Sequence, residues 1–324
     1  MHTTLSFYKY VRLEDPEAVR DTLKKEWSAI GVTGRIYVAK EGINAQLSVP
    51  DRNWETFDRG LRSDARFSDI PYKFAVESDG SSAFRKLIVK ARRKIVADGL
   101  DDSSFDVTKT GEYLTARQFN DYINDADAVV VDMRNAYESE IGHFEKAITP
   151  DVDTFREELS LVPRLLKGQE DKKIALYCTG GIRCEKASAW LRHNGFKDVK
   201  HLKGGIIDYK HQVEREGLPN RFRGKNFVFD ERLGERVGDE VISFCHLCAR
   251  ERSDQHHHCK NEVCHVLFLG CDNCVRARHG YCSLWCSWFD RLPVRAKKAY
   301  ARFYNRFFRP AQFKKHRLKL KPVS

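Results

Sequence analysis

No stretch of about 18 consecutive apolar residues occurs in the 324-residue chain, so no membrane-spanning helix is expected. The opening MHTTLSFYKY lacks the apolar stretch and small-residue cleavage site of a secretion signal, and the expected location is the cytoplasm. Internal repeats and low-complexity segments are missing. So are a G-x-G-x-x-G dinucleotide fingerprint and a dependable two-His, one-carboxylate iron signature. Acids are nearly missing from residues 287–324, where twelve Lys/Arg face only Asp290. That tail alone carries the chain's net charge of +11, and residues 1–286 balance at 45 basic against 45 acidic. A neutral body with a basic arm points to a polyanionic partner.

What is present is globular: 41% hydrophobic and 32% charged residues, with a length that suggests two or three domains. LSFYKYV (5–11), RIYVAK (35–40), INAQLSV (43–49), YKFAVES (72–78) and FRKLIVKAR (84–92) read as strands. DPEAVRDTLKKEWSAI (15–30) and WETFDRGLRS (54–63) read as helices. The order β-α-β-β-α-β with one further strand predicts a ferredoxin-like α/β sandwich over 1–95. Residues 96–112 are polar and turn-rich, and read as a linker. Beyond them Thr115 and Gln118 form a capping box before the helix ARQFNDYIN. DAVVVDM (127–133) and KIALYC (173–178) are apolar enough to be parallel strands buried on both faces. With the helix EKASAWLRHN (185–194), the strand VKHLKGG (199–205) and a helix reaching about Glu216, they predict a parallel-sheet α/β domain over 113–220.

The segment LYCTGGIRCEKA (176–187) places Cys178 at the end of a strand and a helix about five residues later. Ligands of open α/β sheets bind at such strand ends. Thr179, Gly180, Gly181 and Ile182 are small or flexible enough for successive backbone N–H groups to turn toward the sulfur. The positive end of the next helix and Arg183 should hold Cys178 as a thiolate near neutral pH. A redox pair usually reads Cys-x-x-Cys, and here five residues separate Cys178 from Cys184, which reads as a small packing residue. A phosphatase cradle is Cys-x5-Arg; this loop is one residue tighter and suits a sulfur atom better than a phosphate.

The other eight cysteines form four short pairs: Cys245 and Cys248, Cys259 and Cys264, Cys271 and Cys274, Cys282 and Cys286. Eight thiolates suffice for two closed tetrahedral sites, and structural zinc is the expected metal. The spacing leaves the pairing open between sequential and interleaved, allows His256, His257, His258 or His265 to replace a cysteine, and leaves an iron–sulfur cluster as an alternative. These residues belong to a Cys-rich module over 221–286. In the tail (287–324), Tyr300, Phe303, Tyr304, Phe307 and Phe308 fall on one helical stripe that reads as a packing face. Arg295, Lys297, Lys298, Arg302, Arg306 and Arg309 lie around it as candidate phosphate contacts.

The Cys-x4-Arg spacing resembles the rhodanese active-site loop. VVVDMRNAYESEIGHFEKAI (129–148) resembles the Asp-x-Arg, Glu and Gly-His segment of that domain, and HLKGGIIDY (201–209) its final Gly-Gly segment, with Tyr209 where many members have tryptophan. In rhodaneses the loop cysteine carries a sulfane sulfur, a role that would fall on Cys178. Asp132, Arg134 and Glu138 read as one ion-pair network bracing the sheet ends, and His143 as a satisfied loop histidine. Taken over residues 4–286, with GRIYVAKEGINAQLSVP (34–50) and GKNFVFDERLGER (224–236), the chain is similar to the bacterial tRNA uridine hydroxylase family. That resemblance implies a tRNA partner and O2-dependent conversion of the wobble uridine to 5-hydroxyuridine; with no cofactor motif in the chain, the expected chemistry is a Cys178 thiolate or persulfide adding to the pyrimidine ring, with the electron donor unknown. A sulfurtransferase passing persulfide sulfur, and a non-catalytic RNA- or partner-binding scaffold, are the alternatives. No membrane or DNA partner is expected. The expected architecture is α/β throughout: a ferredoxin-like N-terminal sandwich, a rhodanese-like central domain, and a metal-binding Cys-rich module with a basic helical tail.

Overall fold

The computed structural model describes residues 1–100 and 105–307. Alternation of side chains builds the N-terminal part. Strands β1 (His2–Tyr10), β2 (Thr33–Ala39), β3 (Gly42–Pro50), β4 (Lys73–Phe74) and β5 (Leu87–Ala91) form one sheet in the order β4-β1-β3-β2-β5. The first four have the antiparallel ferredoxin-like arrangement, and β5 adds a parallel edge to β2. Every second residue, including Leu5, Phe7, Ile36, Val38, Ile43, Ala45 and Leu47, is buried against helices α1 (Pro16–Ala29) and α2 (Trp54–Ser63), which supply Val19, Leu23, Trp27, Phe57 and Leu61. The alternate residues Ser6, Tyr8, Arg35, Tyr37, Asn44 and Gln46 form a second, polar face.

The expected strand over 72–78 shrinks to two residues. After Phe74 the chain leaves the sheet: the Ala75 N–H still donates to Thr4 O, but the Val76 N–H donates to the Glu235 carboxylate. Residues 96–112 are also more than a solvated connector. Asp98 is buried between Lys94 and Lys186, and Phe105 packs edge-on against Trp190. Residues 101–104 of that stretch lie outside the described residues.

The second sheet is wholly parallel, ordered β6-β10-β9-β7, from β6 (Glu112–Leu114), β7 (Ala128–Asp132), β9 (Lys173–Tyr177) and β10 (Asp198–Leu202). Its core strands carry apolar side chains on both faces, as a sheet covered by helices requires. The covering helices are α3 (Ala116–Asn124), α5 (Phe155–Leu165), α6 (Ile182–His193) and α7 (Gly205–Glu216), with a short α4 (Ala136–Ser139). The Thr115–Gln118 capping box opens α3 in both directions, an arrangement worth about 1 kcal/mol. Strand β8 (Gly142–Phe144) leaves this sheet and pairs with β11 (Phe222–Asn226), which also pairs with β12 (Glu235–Arg236). The Cys-rich part holds a hairpin of β13 (His256–His258) and β14 (Leu267–Leu269), followed by α8 (Asp272–Ala277), α9 (Leu284–Asp290) and α10 (Val294–Phe307).

Candidate active site and metal centres

Cys178 follows the last residue of β9 and is 1% exposed. The chain then turns through Gly181, which takes φ +97° as the residue before α6, a conformation that favours glycine. This turn aims the Gly181 N–H at Cys178 Sγ, 3.1 Å away. Burial opposes ionisation of the thiol. It is outweighed by the neighbouring Cys184 thiol, the charge of Arg183 and the backbone N–H groups at the start of α6, and the pKa falls from 9.0 to about 6. Cys184, read as a packing residue, is fully buried in the first turn of α6. Five intervening residues do not keep the two thiols apart, because the first turn of α6 folds Cys184 back over the sulfur. Its own pKa is pushed well up by burial and by the Cys178 charge.

The Gly-Gly segment has a steric role here. Gly205 (φ +69°) opens α7 directly beneath the loop, and a Cβ there would lie 2.5 Å from Cys178 O and 2.6 Å from Thr179 O. The Ile206 and Ile207 N–H groups donate to those two carbonyls. Tyr209 is fully buried; its hydroxyl donates to Asn120 and accepts from the Arg221 N–H.

Arg183 does not reach over the loop alone. Its guanidinium forms a two-pronged pair with Glu138, at 2.7 and 2.8 Å, and a 3.3 Å contact with Thr179. The single network expected from Asp132, Arg134 and Glu138 is thus two separate pairs. Arg134 and Asp132 are both 0% exposed and form their own bridge, supported by Gly142 O and Asn226. The capping box of α4 turns Glu138 toward the cysteine loop instead. His143 Nδ1 is satisfied by Ser139 O.

Three further groups around the loop escaped the sequence reading. Glu158 of α5 is fully buried, neither carboxyl oxygen has a hydrogen-bond partner among the described residues, and burial pushes its pKa well up. An acid inside the apolar stripe Phe155, Glu158, Leu159, Val162 was the available signal. Tyr8 of the N-terminal sheet donates a 2.7 Å hydrogen bond to Glu185 of α6. The Lys73 ammonium lies 4.5 Å above the Tyr8 ring, its pKa lowered chiefly by burial. No local pattern in the sequence marks either residue, because both meet the loop only after the domains dock.

The polar face of the N-terminal sheet forms a roof over the cysteine loop. Between them lies a cavity of about 830 Å³, with Cys178, Thr179, Gly180, Ile182 and Arg183 among its floor residues and Tyr8, Arg35, Tyr37, Asn44, Gln46 and Lys73 in its roof. A thiol of lowered pKa at the base of a partly polar chamber of this size fits a small-molecule or nucleotide site.

Three family models match successive parts of the chain. Residues 2–95 match the UPF0176 acylphosphatase like domain, residues 115–212 the rhodanese-like domain, and residues 223–287 the rhodanase C-terminal model. A tRNA uridine(34) hydroxylase of Leptospira interrogans is 55% identical over 91% of this chain and 80% of its own length. Those of Photorhabdus laumondii and Escherichia coli are 50% and 51% identical over 92% and 88% of this chain, and over 84% and 81% of their own. The chain belongs to the tRNA uridine(34) hydroxylase family.

In this family member the eight remaining cysteines resolve into two sets of four. Cys245, Cys248, Cys271 and Cys274 form one, and Cys259, Cys264, Cys282 and Cys286 the other, with the sulfurs of each set within 4.8 Å of one another. The pairing is interleaved, and each set is a cluster of four soft donors able to hold a metal. None of His256, His257, His258 and His265 joins either set; His256–His258 form β13, and His258 and His265 line a second cavity.

The tail helix α10 docks through Tyr300, whose ring lies 4.9 Å from Phe289 and 5.6 Å from Trp285. Phe303, Tyr304 and Phe307 lie within the helix, and Phe308 falls outside the described residues. Arg295, Lys298 and Arg302 are exposed on α10, whereas Lys297 is held by Asp290 at 2.8 Å. Arg306 belongs to the helix, and Arg309 lies outside the described residues.

Proposed function

We propose that this protein is an oxidoreductase that hydroxylates uridine 34 of tRNA, and that the uracil ring is held in the cavity over Cys178. The observation that carries this reading is a low-pKa thiolate at the floor of an interdomain cavity in a chain at least 50% identical to named tRNA uridine(34) hydroxylases. A cavity beneath a sheet suits a base taken out of its stack, as enzymes that do chemistry on a base require.

The Cys178 thiolate adds to the pyrimidine ring at C6 and makes C5 electron-rich. One oxygen atom of O2 then enters at C5, and the other leaves as water with two protons and two electrons from an external reductant. Loss of the C5 proton and expulsion of the thiolate restore the ring as 5-hydroxyuridine. Cys178 is the catalytic residue. Arg183 is a positioning residue held by Glu138, and Cys184 supports the thiolate. Each four-cysteine set takes a structural zinc ion. In the Cys259, Cys264, Cys282 and Cys286 set, separations of 3.7 Å for Cys264–Cys282 and 3.6 Å for Cys282–Cys286 are close to the edge of a zinc–thiolate tetrahedron, about 3.8 Å for a metal–sulfur bond of about 2.3 Å. The reaction belongs in the cytoplasm, where tRNA is the partner. No helix among the described residues is long and apolar enough to cross a membrane.

The test is nucleoside mass spectrometry of tRNA incubated with the pure protein and a two-electron reductant such as a dithiol under oxygen-18 gas. Label in a uridine-derived nucleoside is expected, together with its loss in Cys178→Ala. An unlabelled sulfur-containing nucleoside would replace this reading with sulfur transfer, and normal labelling without Cys178 would remove the thiolate from the mechanism.

A further inference from the structure

Beside the cavity over Cys178 lies a second one of about 660 Å³, bounded by the β5 edge, by Phe227 and Leu233, and by His258 and His265 of the Cys-rich part. The two cavities share a wall, and among the described residues Arg35 is the only cation that lines both. Arg35 stands on the polar face of β2, opposite Gln46 on β3. It is half-buried, and among the described residues no carboxylate or carbonyl holds its guanidinium. Asp230, an acid on the same shared wall, is already neutralised by the fork of Arg232. Phe84, Tyr137, Phe229 and a second acid, Asp153, complete the wall, and the Tyr137–Phe227–Phe229 rings pack edge-to-face at 5.2 Å. Aromatic surfaces flanking an unpaired guanidinium are what a single strand needs: bases stack on the rings, and the backbone phosphate between them meets the charge.

We propose that the two cavities take two consecutive nucleotides of a single-stranded RNA segment, with the target uridine over Cys178, its neighbour in the second cavity, and Arg35 gripping the phosphodiester that joins them. The placement of the uridine rests on the hydroxylase reading above; the grip of Arg35 does not. The N-terminal sheet is then the RNA-reading wall, and the Cys-rich part completes the neighbour's chamber.

The experiment measures binding of the full chain to an anticodon stem-loop RNA by fluorescence anisotropy. The RNA carries ordinary phosphates, or one neutral methylphosphonate on the 5′ or the 3′ side of uridine 34. With the unaltered protein, one of the two neutral linkages should weaken binding by about tenfold, the scale of a single charge-assisted hydrogen bond. Arg35→Ala should weaken binding of the ordinary RNA by a similar factor and add no further loss on that neutral linkage, because the charge pair is already broken. Arg35→Lys should recover part of the affinity. Additive losses, an unchanged Kd in Arg35→Ala, or indifference to both neutral linkages would overturn the proposal. Far-UV circular dichroism and a thermal unfolding midpoint matching the unaltered protein show that Arg35→Ala is folded. Oxygen-18 incorporation by the unaltered protein is scored separately. Coupling at Arg35 without incorporation would sink the hydroxylase reading and leave the phosphate clamp standing.

Discussion

At the sulfur of Cys178 burial and hydrogen bonding act in opposite directions, and the hydrogen bonds with Arg183 win. The folded-state pKa is depressed from 9.0 to about 6, so between those values the native chain has released a proton that the unfolded chain retains. The thiolate's contribution to stability is fully present above pH 9 and is lost as pH falls through 6. The rate constant for alkylation of Cys178 by iodoacetamide should therefore be half-maximal near pH 6 and flat above pH 8, where an ordinary thiol would still be rising. Arg183→Gln should move that midpoint upward. It also leaves Glu138, 0% exposed, without its partner, at a cost of about 3–5 kcal/mol in urea unfolding. A midpoint that stays near 6 in this variant would show that the backbone N–H groups and Cys184 suffice. The Cys-x4-Arg spacing announced the thiolate, because the cradle is one continuous loop. Glu138 was legible as an ion-pair residue but not as the partner of Arg183, since 45 residues separate the two.

Among the elements, α6 does two tasks at once. Its first turn faces the sulfur, and one turn later Lys186, fully buried, reaches Glu41 in the β2–β3 turn and Asp98 in the connecting segment. One side chain thus ties the N-terminal sheet and the connecting segment to the helix that carries the cysteine loop. In the Cys-rich part the interleaved sets make a quantitative prediction for metal content. The intact chain should hold two equivalents of zinc by mass spectrometry. Cys245→Ala and Cys271→Ala, singly or combined, should remove the same one equivalent, whereas Cys245→Ala with Cys259→Ala should remove both. If Cys245→Ala with Cys271→Ala removes both equivalents, the two residues serve different sites and the pairing is sequential. The four short pairs themselves were plain in the sequence, because ligands on one turn must be close in number. Which pair meets which depends on the β13–β14 hairpin bringing segments together, and no spacing rule encodes that.

For the whole molecule the proposed RNA surface has two parts that a salt titration separates. Arg295, Lys298 and Arg302 are exposed on α10 and free to meet backbone phosphates, whereas Lys297 is engaged by Asp290. Changing the first three to glutamine should flatten the slope of log affinity against log salt by about 2–3, at about 0.7–0.9 for each phosphate no longer neutralised. Lys297→Gln should change it less, and a slope untouched by the triple substitution would remove the tail from the interface. The basic tail was readable because charge accumulates in composition. The roof over Cys178 was not: Tyr8, Arg35, Asn44 and Gln46 occur in strands whose alternation marks a polar face but does not say what covers it.

By itself the sequence determined the local chemistry: helix caps, buried parallel strands, a thiolate loop and four cysteine pairs, all set by residues close together in the chain. Tertiary structure alone decided that the polar sheet face closes over Cys178, that Glu138 holds Arg183 while Asp132 holds Arg134, and that the cysteine pairs interleave. The physical reason is common to all three. Each is a meeting of groups whose partners are selected by domain docking and burial rather than by any preference written into a short stretch of chain.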